Sequence, residues 1–262
     1  MARRTADQPE QQAPPVQRLR VHYAKRGSAR FTSHRDFARA FERALNRARI
    51  PMSYSSGFHP HPRISYASAS ATGAASEAEY LEIGLSARCD PARVADGLGE
   101  SLPTGMVVLR VAETDRTAFT ELLTASAWLI EPGPETDLGP AVENLMASAS
   151  HLVTRMTKSG PREFDVRSAV IGMDVHEGAV RLMLRHLTPL VRPDDILTAL
   201  ARSAAGLDPA DCRCTRLAQG RPVDPDDGVF TDLLDPFDGE PRRVWRDAST
   251  AFGNDCGIIG HR

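Results

Sequence analysis

The sequence predicts an α+β fold, built as two tandem ferredoxin-like βαββαβ modules with disordered N- and C-terminal tails. Short segments in which apolar and polar residues alternate are separated by segments with apolar residues at helical spacing, and the order β, α, β, β, α, β occurs twice. The predicted boundaries are a disordered segment 1–16, a basic first module 17–115, a second module 124–219 and a mobile tail 220–262. A chain of 262 residues is long enough for two such cores.

The first predicted strand covers residues 18–25. Its apolar residues, among them Leu19 and Val21, alternate with Arg20 and His22, which is the period of a strand with one covered face. We therefore expect Arg20 and His22 to lie on the opposite, free face of the first sheet.

The first helix is predicted from residue 33 to about residue 49. Ser33 stands at the N-cap position with Asp36 three residues later, and Phe37 and Phe41 belong to the stripe that faces the core. A second stripe carries arginines at every fourth position: Arg35, Arg39, Arg43 and Arg47.

The remaining elements follow from the same periodicities and from Gly and Pro punctuation. In the first module we predict strands over 63–69, 79–85 and 106–111 and a helix over 91–102. In the second we predict strands over 127–131, 163–173, 179–187 and 212–217 and helices over 140–156 and 193–205.

The net charge of -2 conceals a strong asymmetry along the chain. Residues 17–66 contain eleven Lys and Arg against two acids, a local charge of +9, whereas residues 67–262 carry 19 bases and 30 acids. A basic segment of this kind predicts an anionic partner. The four cysteines lack zinc or iron–sulfur spacing, and no signal-like or membrane-spanning apolar run occurs, so we expect a cytoplasmic protein with no metal and no cofactor.

RNA is the anionic partner that the basic segment predicts best, because aromatic residues that can stack on bases are interleaved with the arginines. The alternative is a solvated helix face in an arginine-rich protein. The residues predicted to contact phosphates are Lys25, Arg35, Arg39, Arg43 and Arg63. The residues predicted to stack or to line the site are Tyr54, Phe58, His34, His59 and His61.

The histidines also allow a catalytic interpretation. Imidazoles can act as acid and base in metal-free RNA cleavage, so His34 or His59 with Lys25 could form the centre of a metal-independent RNA endonuclease or an RNA-modifying enzyme. A loop histidine beside prolines is more often structural or in contact with substrate than catalytic. Glu77, Glu79 and Glu82 are expected to pair with arginines rather than to bind a cation.

Several motifs, most of them in the first module, resemble those of a known bacterial family. They are Tyr23-x-Lys25-x-Gly27, Phe31-x-Ser33-His34-x-Asp36, Arg43-Ala44, Tyr54-Ser-x-Gly57-Phe58-x-Pro60-x-Pro62, Glu79-Tyr80, Leu102-Pro-x-Gly105 and Phe164-Asp-Val-Arg167. Together they are similar to the radical-SAM-linked protein family, whose own activity is not established. The resemblance implies a partner, a radical S-adenosylmethionine enzyme, and a genetic neighbourhood that often includes ribonuclease E/G. The chain has no Cys-x3-Cys-x2-Cys run of its own, so it resembles the accessory part without the radical domain.

These observations lead to one expected function and two alternatives. We expect an RNA-binding accessory protein that presents a tRNA or rRNA to a separate radical S-adenosylmethionine enzyme. The first alternative is the endonuclease or modifying enzyme described above. The second is a protein-docking module whose basic face binds an acidic partner such as the radical enzyme.

Overall fold

The computed structural model of the protein describes residues 11–114, 117–133, 136–157, 160–223 and 230–245. The chain separates into two compact units, Met1–Thr117 and Ala118–Arg262. Each unit has a βαββαβ core, so the α+β class and the tandem ferredoxin-like modules are confirmed.

The first unit contains four strands and two helices. They are β1 Gln17–Lys25, α1 His34–Arg47, β2 Ile64–Tyr66, β3 Ala75–Leu85, α2 Pro91–Ser101 and β4 Met106–Glu113. The strand order is β4-β1-β3-β2, and all the pairs are antiparallel. This order arises when each crossover helix returns the chain to the far end of the sheet.

The core of the first unit lies between the sheet and α1. Leu19, Val21 and Tyr23 of β1 are buried, as are Phe37 and Phe41 of α1. The ring of Tyr23 stacks on that of Phe37 at 4.6 Å between centroids. The alternation in β1 and the helical spacing in α1 therefore place the apolar residues as predicted.

Arg20 and His22 lie on the other face of β1, but that face is not free. Their exposed fractions are 4% and 6%. Arg20 donates to Glu82 at 2.8 Å, and the ring of His22 stacks on Tyr80 at 4.6 Å. The prediction of a solvent-facing Arg20 and His22 was wrong, because an ion pair and a ring stack satisfy them inside the protein.

The second unit adds a hairpin to the same plan. Its elements are α3 Phe119–Leu122, β5 Ala125–Glu131, α4 Gly139–Ala147, β6 Leu152–Thr157, β7 Gly160–Asp165, β8 Val170–His176, β9 Ala179–Arg185, α5 Pro193–Leu200, β10 Arg213–Pro222, β11 Leu233–Leu234 and β12 Pro241–Arg242. The order β10-β5-β9-β8 repeats that of the first unit, and β6 pairs only with β7 among the described strands.

Two element predictions in the second unit were wrong. The helix predicted over 140–156 ends at Ala147, and β6 begins at Leu152. Val153 is buried and pairs across the hairpin with Phe164, so tertiary context overrides helical spacing here. The strand predicted over 163–173 is two strands separated by a short turn at Arg167–Ala169.

Residues 230–245 pack against the second sheet, which differs from the mobile tail predicted for 220–262. Leu233 is buried, and β11 pairs with the end of β10. The guanidinium of Arg181 lies 5.0 Å from the ring centroid of Phe230 and 5.7 Å from that of Trp245. The predicted tail also includes 224–229 and 246–262, and the predicted N-terminal tail includes 1–10; these lie outside the described residues.

Candidate nucleic-acid interface

The outer side of α1 carries a row of exposed arginines. Helix α1 buries Phe37, Phe41 and Leu45, so positions two residues from these point away from the sheet. We call the exposed row and the residue that follows the helix the arginine face: Arg35, Arg39, Arg43, Arg47 and Arg49. A rise of ~1.5 Å per residue places consecutive arginines of the row ~6 Å apart along a stripe of ~18 Å.

The arginine face is not neutralised by the protein. None of its five side chains forms an ion pair or hydrogen bond within the described residues. By contrast, Arg20 pairs with Glu82 and Arg26 with Glu77, as expected for these carboxylates. The arginine face therefore carries five neighbouring arginines that no carboxylate pairs with in the described residues.

The two acids of α1 have other roles. Asp36 accepts a hydrogen bond from the Ser33 hydroxyl at 2.7 Å, within the N-cap of the helix. Burial, followed by the nearby charge of Glu42, raises the pKa of Tyr66 to about 12. Neither acid forms an ion pair with an arginine of this face in the described residues.

The chain continues from the arginine face into a loop, residues 53–63, that is held in one shape. Ser55 N donates to His61 O at 2.8 Å, and His61 N donates to Ser55 Oγ at 3.0 Å. The loop is attached to β3 because Ser53 N donates to Gly84 O and Gly84 N donates to Arg63 O. Arg63 Nε also donates to Tyr54 O at 3.0 Å, which orients this predicted phosphate ligand at the base of the loop.

The 53–63 loop presents four rings to solvent. Phe58 is 76% exposed and Tyr54 is 40% exposed, and His59 and His61 are exposed as well. Within the described residues, none of these rings stacks on another ring or pairs with a carboxylate. They are therefore available to a partner.

Lys25 does not belong to this surface. It is 4% exposed, and its Nζ lies 3.5 Å from both Thr32 O and Ser70 Oγ. Ser70 N in turn donates to buried Glu79 at 3.2 Å. The prediction that Lys25 contacts a phosphate does not fit this burial, because the segment that carries Ser70 covers the end of β1.

His59 and Lys25 lie far apart along β3, so a catalytic pair of these two residues does not fit the strand register. Lys25 pairs with Ser76 of β3, whereas the 53–63 loop with His59 is bonded to Gly84 of the same strand. Eight residues of a strand separate these points by ~26 Å. His34 is exposed at the start of α1, with its ring 4.9 Å from that of Tyr66. Among the described residues, no cluster of His, Cys, Asp and Glu could hold a metal ion.

Sequence reasoning missed one contact of the loop. Gln12, which falls in the segment predicted to be disordered, donates from its backbone N to Ser56 Oγ at 2.9 Å. Val16 N donates to Leu85 O at 2.8 Å, so residues 12–16 run past the end of the sheet to the loop. The Gln- and Pro-rich composition of the segment contains no signal for this contact.

A family model described as "Uncharacterized protein conserved in bacteria (DUF2344)" matches residues 18–193. The chain belongs to this family. The match includes the whole arginine face and the 53–63 loop, and the family description names no activity. No curated protein matches the chain.

Among solved structures, this chain is similar to the first two RRM domains of the yeast poly(U) binding protein Pub1. The identity is 9% and the TM-score is 0.19, over 77% of this chain and 99% of that chain. The strand order within each unit, rather than this likeness, defines the fold described above. No helix of the described residues is long and apolar enough to cross a membrane.

Proposed function

We propose that this protein binds RNA through the arginine face and the 53–63 loop. The observation that carries the proposal is the row of exposed arginines without ion pairs that leads directly into a loop with four exposed rings. Guanidinium groups bind phosphate through paired hydrogen bonds, and aromatic rings stack on bases of any sequence.

The binding mode differs from that of RNA-binding domains that use the open face of a four-stranded sheet. In the first unit, the rings on that face belong to His22 and Tyr80, and they are buried at 6% and 2% exposure. They cannot receive bases while they are covered. The exposed rings and cations lie on α1 and its following loop, so the proposal places RNA there.

Salt dependence tests this proposal. Four or five phosphate contacts by the arginine face predict a slope of log Kobs against log salt concentration of about -3 to -4, since each contact releases counterions. We expect the affinity for a mixed-sequence RNA to fall roughly a hundredfold between 50 and 200 mM salt. Fluorescence anisotropy with a labelled RNA measures this slope. An affinity that stays flat across this range would exclude phosphate binding as its source.

The finer proposal concerns the partner: the protein presents a tRNA or rRNA to a radical S-adenosylmethionine enzyme. Its support is the resemblance of the motifs from Tyr23 to Pro62 to the radical-SAM-linked family. The same resemblance suggests a connection to ribonuclease E/G. Because the sequence has no Cys-x3-Cys-x2-Cys run, the part proposed for this chain is to hold the RNA.

Affinity purification of the tagged protein from its own bacterium tests the finer proposal. We expect the radical enzyme to co-elute and to be lost when the lysate is treated with ribonuclease, because RNA bridges the two proteins. Co-elution that survives ribonuclease would favour the protein-docking alternative instead. Absence of the radical enzyme from both eluates would count against any accessory role.

A further inference from the structure

The 53–63 loop is ordered before any ligand binds. Its two sides are joined by the Tyr54–Pro62 bridge and by the bond from Arg63 N to Ser53 O at 2.8 Å. Pro60 and Pro62 restrict the backbone, and Gly57 adopts a φ of 138°, which a residue with a side chain rarely adopts. The loop therefore loses little conformational entropy when a ligand binds, whereas a flexible loop would lose much more.

The loop holds Phe58 in water although an aromatic side chain is stabilised by burial. Phe58 is 76% exposed at the tip, and Tyr54 is 40% exposed nearer the base. In the described residues, the ring of Phe58 has no aromatic or cationic neighbour. An exposed ring on an ordered loop suits a flat apolar partner that stacks on it.

The arginine face and Phe58 fit different structural features of an RNA. The arginine face is a straight stripe of ~18 Å on a rigid helix, so it fits a regular backbone such as one strand of a duplex. Phe58 needs the face of a base that no neighbouring base covers. A continuous duplex offers no such face, whereas a loop, bulge or unpaired end does.

We infer that the ligand is an RNA in which an unpaired nucleotide adjoins a duplex stem. The arginine face contacts the stem, and Phe58 stacks on the unpaired base. This inference rests on the proposed function and names its substrate class. Arg47 and Arg49 join the two parts, because the helix ends at Arg47 and the chain enters the loop within six residues.

Three RNA probes of one stem sequence test the inference: a blunt duplex, a stem-loop, and the corresponding single strand. We expect the full-length protein to bind the stem-loop about tenfold more tightly than the duplex, the effect of one stacked base. Phe58→Ala should remove this preference by weakening stem-loop binding to about the affinity for the duplex. Phe31→Ala is the matched control, because Phe31 is also exposed, at 60%, but lies before the start of α1.

A 2-aminopurine placed at each loop position of the stem-loop reports the stacking directly. We expect one position to be quenched by the wild-type protein and by Phe31→Ala, but not by Phe58→Ala. Salt-sensitive binding with equal affinity for duplex and stem-loop, and no effect of Phe58→Ala, would overturn this inference while leaving the proposed function intact. Loss of all salt-sensitive RNA binding would overturn both.

Discussion

Reversing two charges of the arginine face, in the variant Arg39→Glu/Arg43→Glu, is expected to weaken RNA binding by at least about a hundredfold. Each guanidinium–phosphate hydrogen bond contributes roughly 1.5–3 kcal/mol, and two are lost. The salt slope should fall in magnitude by about 1.5, because two fewer phosphates are neutralised. Anisotropy titrations of the wild type and the variant at three salt concentrations measure both quantities.

The matched control is Arg93→Glu/Arg162→Glu, which makes the same change in net charge at exposed positions outside the arginine face. Neither of these arginines forms an ion pair in the described part of the chain. Screening should limit the effect of the control to a few-fold change. If both variants lose affinity equally, binding depends on net charge alone and the arginine face is not the site. Thermal unfolding should be nearly unchanged, since both variants alter only exposed side chains.

Local sequence patterns predicted the parts of the fold that depend on a single element. The alternation of Leu19, Val21 and Tyr23 and the spacing of Phe37 and Phe41 each identify a face within one strand or helix. Such patterns cannot show whether the other face of the strand is covered. Polar residues on that face, such as Arg20, become buried when a partner like Glu82 is opposite them in the sheet.

The errors in the second unit have the same origin. Residues 152–157 are compatible with helical spacing, but they form β6, which pairs with β7 and contains the buried Val153. The two strands belong to one hairpin, but their pairing is a contact between two segments. The residue pattern of one segment alone does not predict it. The folded part of 230–245 is similar, since the other buried residues of the apolar cluster around Leu233 lie more than ten residues away in the sequence.

In the candidate site, too, local patterns predicted the features of single segments but not the contacts between segments. Arginines four residues apart identify an exposed stripe without any tertiary information, and Pro and Gly in residues 53–63 indicate an exposed loop. Lys25 was misplaced because its burial depends on Thr32 and Ser70, the second of which is 45 residues away. The separation of Lys25 from His59 likewise follows from strand register, which sequence spacing does not reveal.

His186 makes the second unit sensitive to acid. Its Nδ1 donates to Leu123 O at 2.7 Å, and its Nε2 accepts from Ser126 Oγ at 3.0 Å, while Trp128 Nε1 donates to that same oxygen at 2.8 Å. This arrangement suits a neutral ring. Burial lowers the pKa of His186 to about 4, with a smaller contribution in the same direction from Arg216, although the bond to Leu123 opposes the shift.

We expect the free energy of unfolding to fall as the pH is lowered from 6.5 towards 4. The unfolded chain takes up a proton near pH 6.5, whereas the folded chain resists protonation until about pH 4. The contribution of His186 to the free energy of unfolding is therefore fully present above pH 6.5 and is lost progressively below it. The loss between pH 7 and pH 5 should be on the order of 2 kcal/mol, measured by urea unfolding.

The variant His186→Gln isolates this effect, because it removes the titrating group and should flatten the pH dependence relative to the wild type. Burial raises the pKa of Asp195, so its contribution to the free energy of unfolding changes with pH in the opposite direction. Asp195 is present in both proteins, so this contribution cancels when the two are compared. His176→Gln, at an exposed position, should retain the wild-type dependence. If His186→Gln is too unstable to study, NMR of the wild-type ring answers the same question: a His186 resonance that titrates near pH 6.5 would contradict the expected environment.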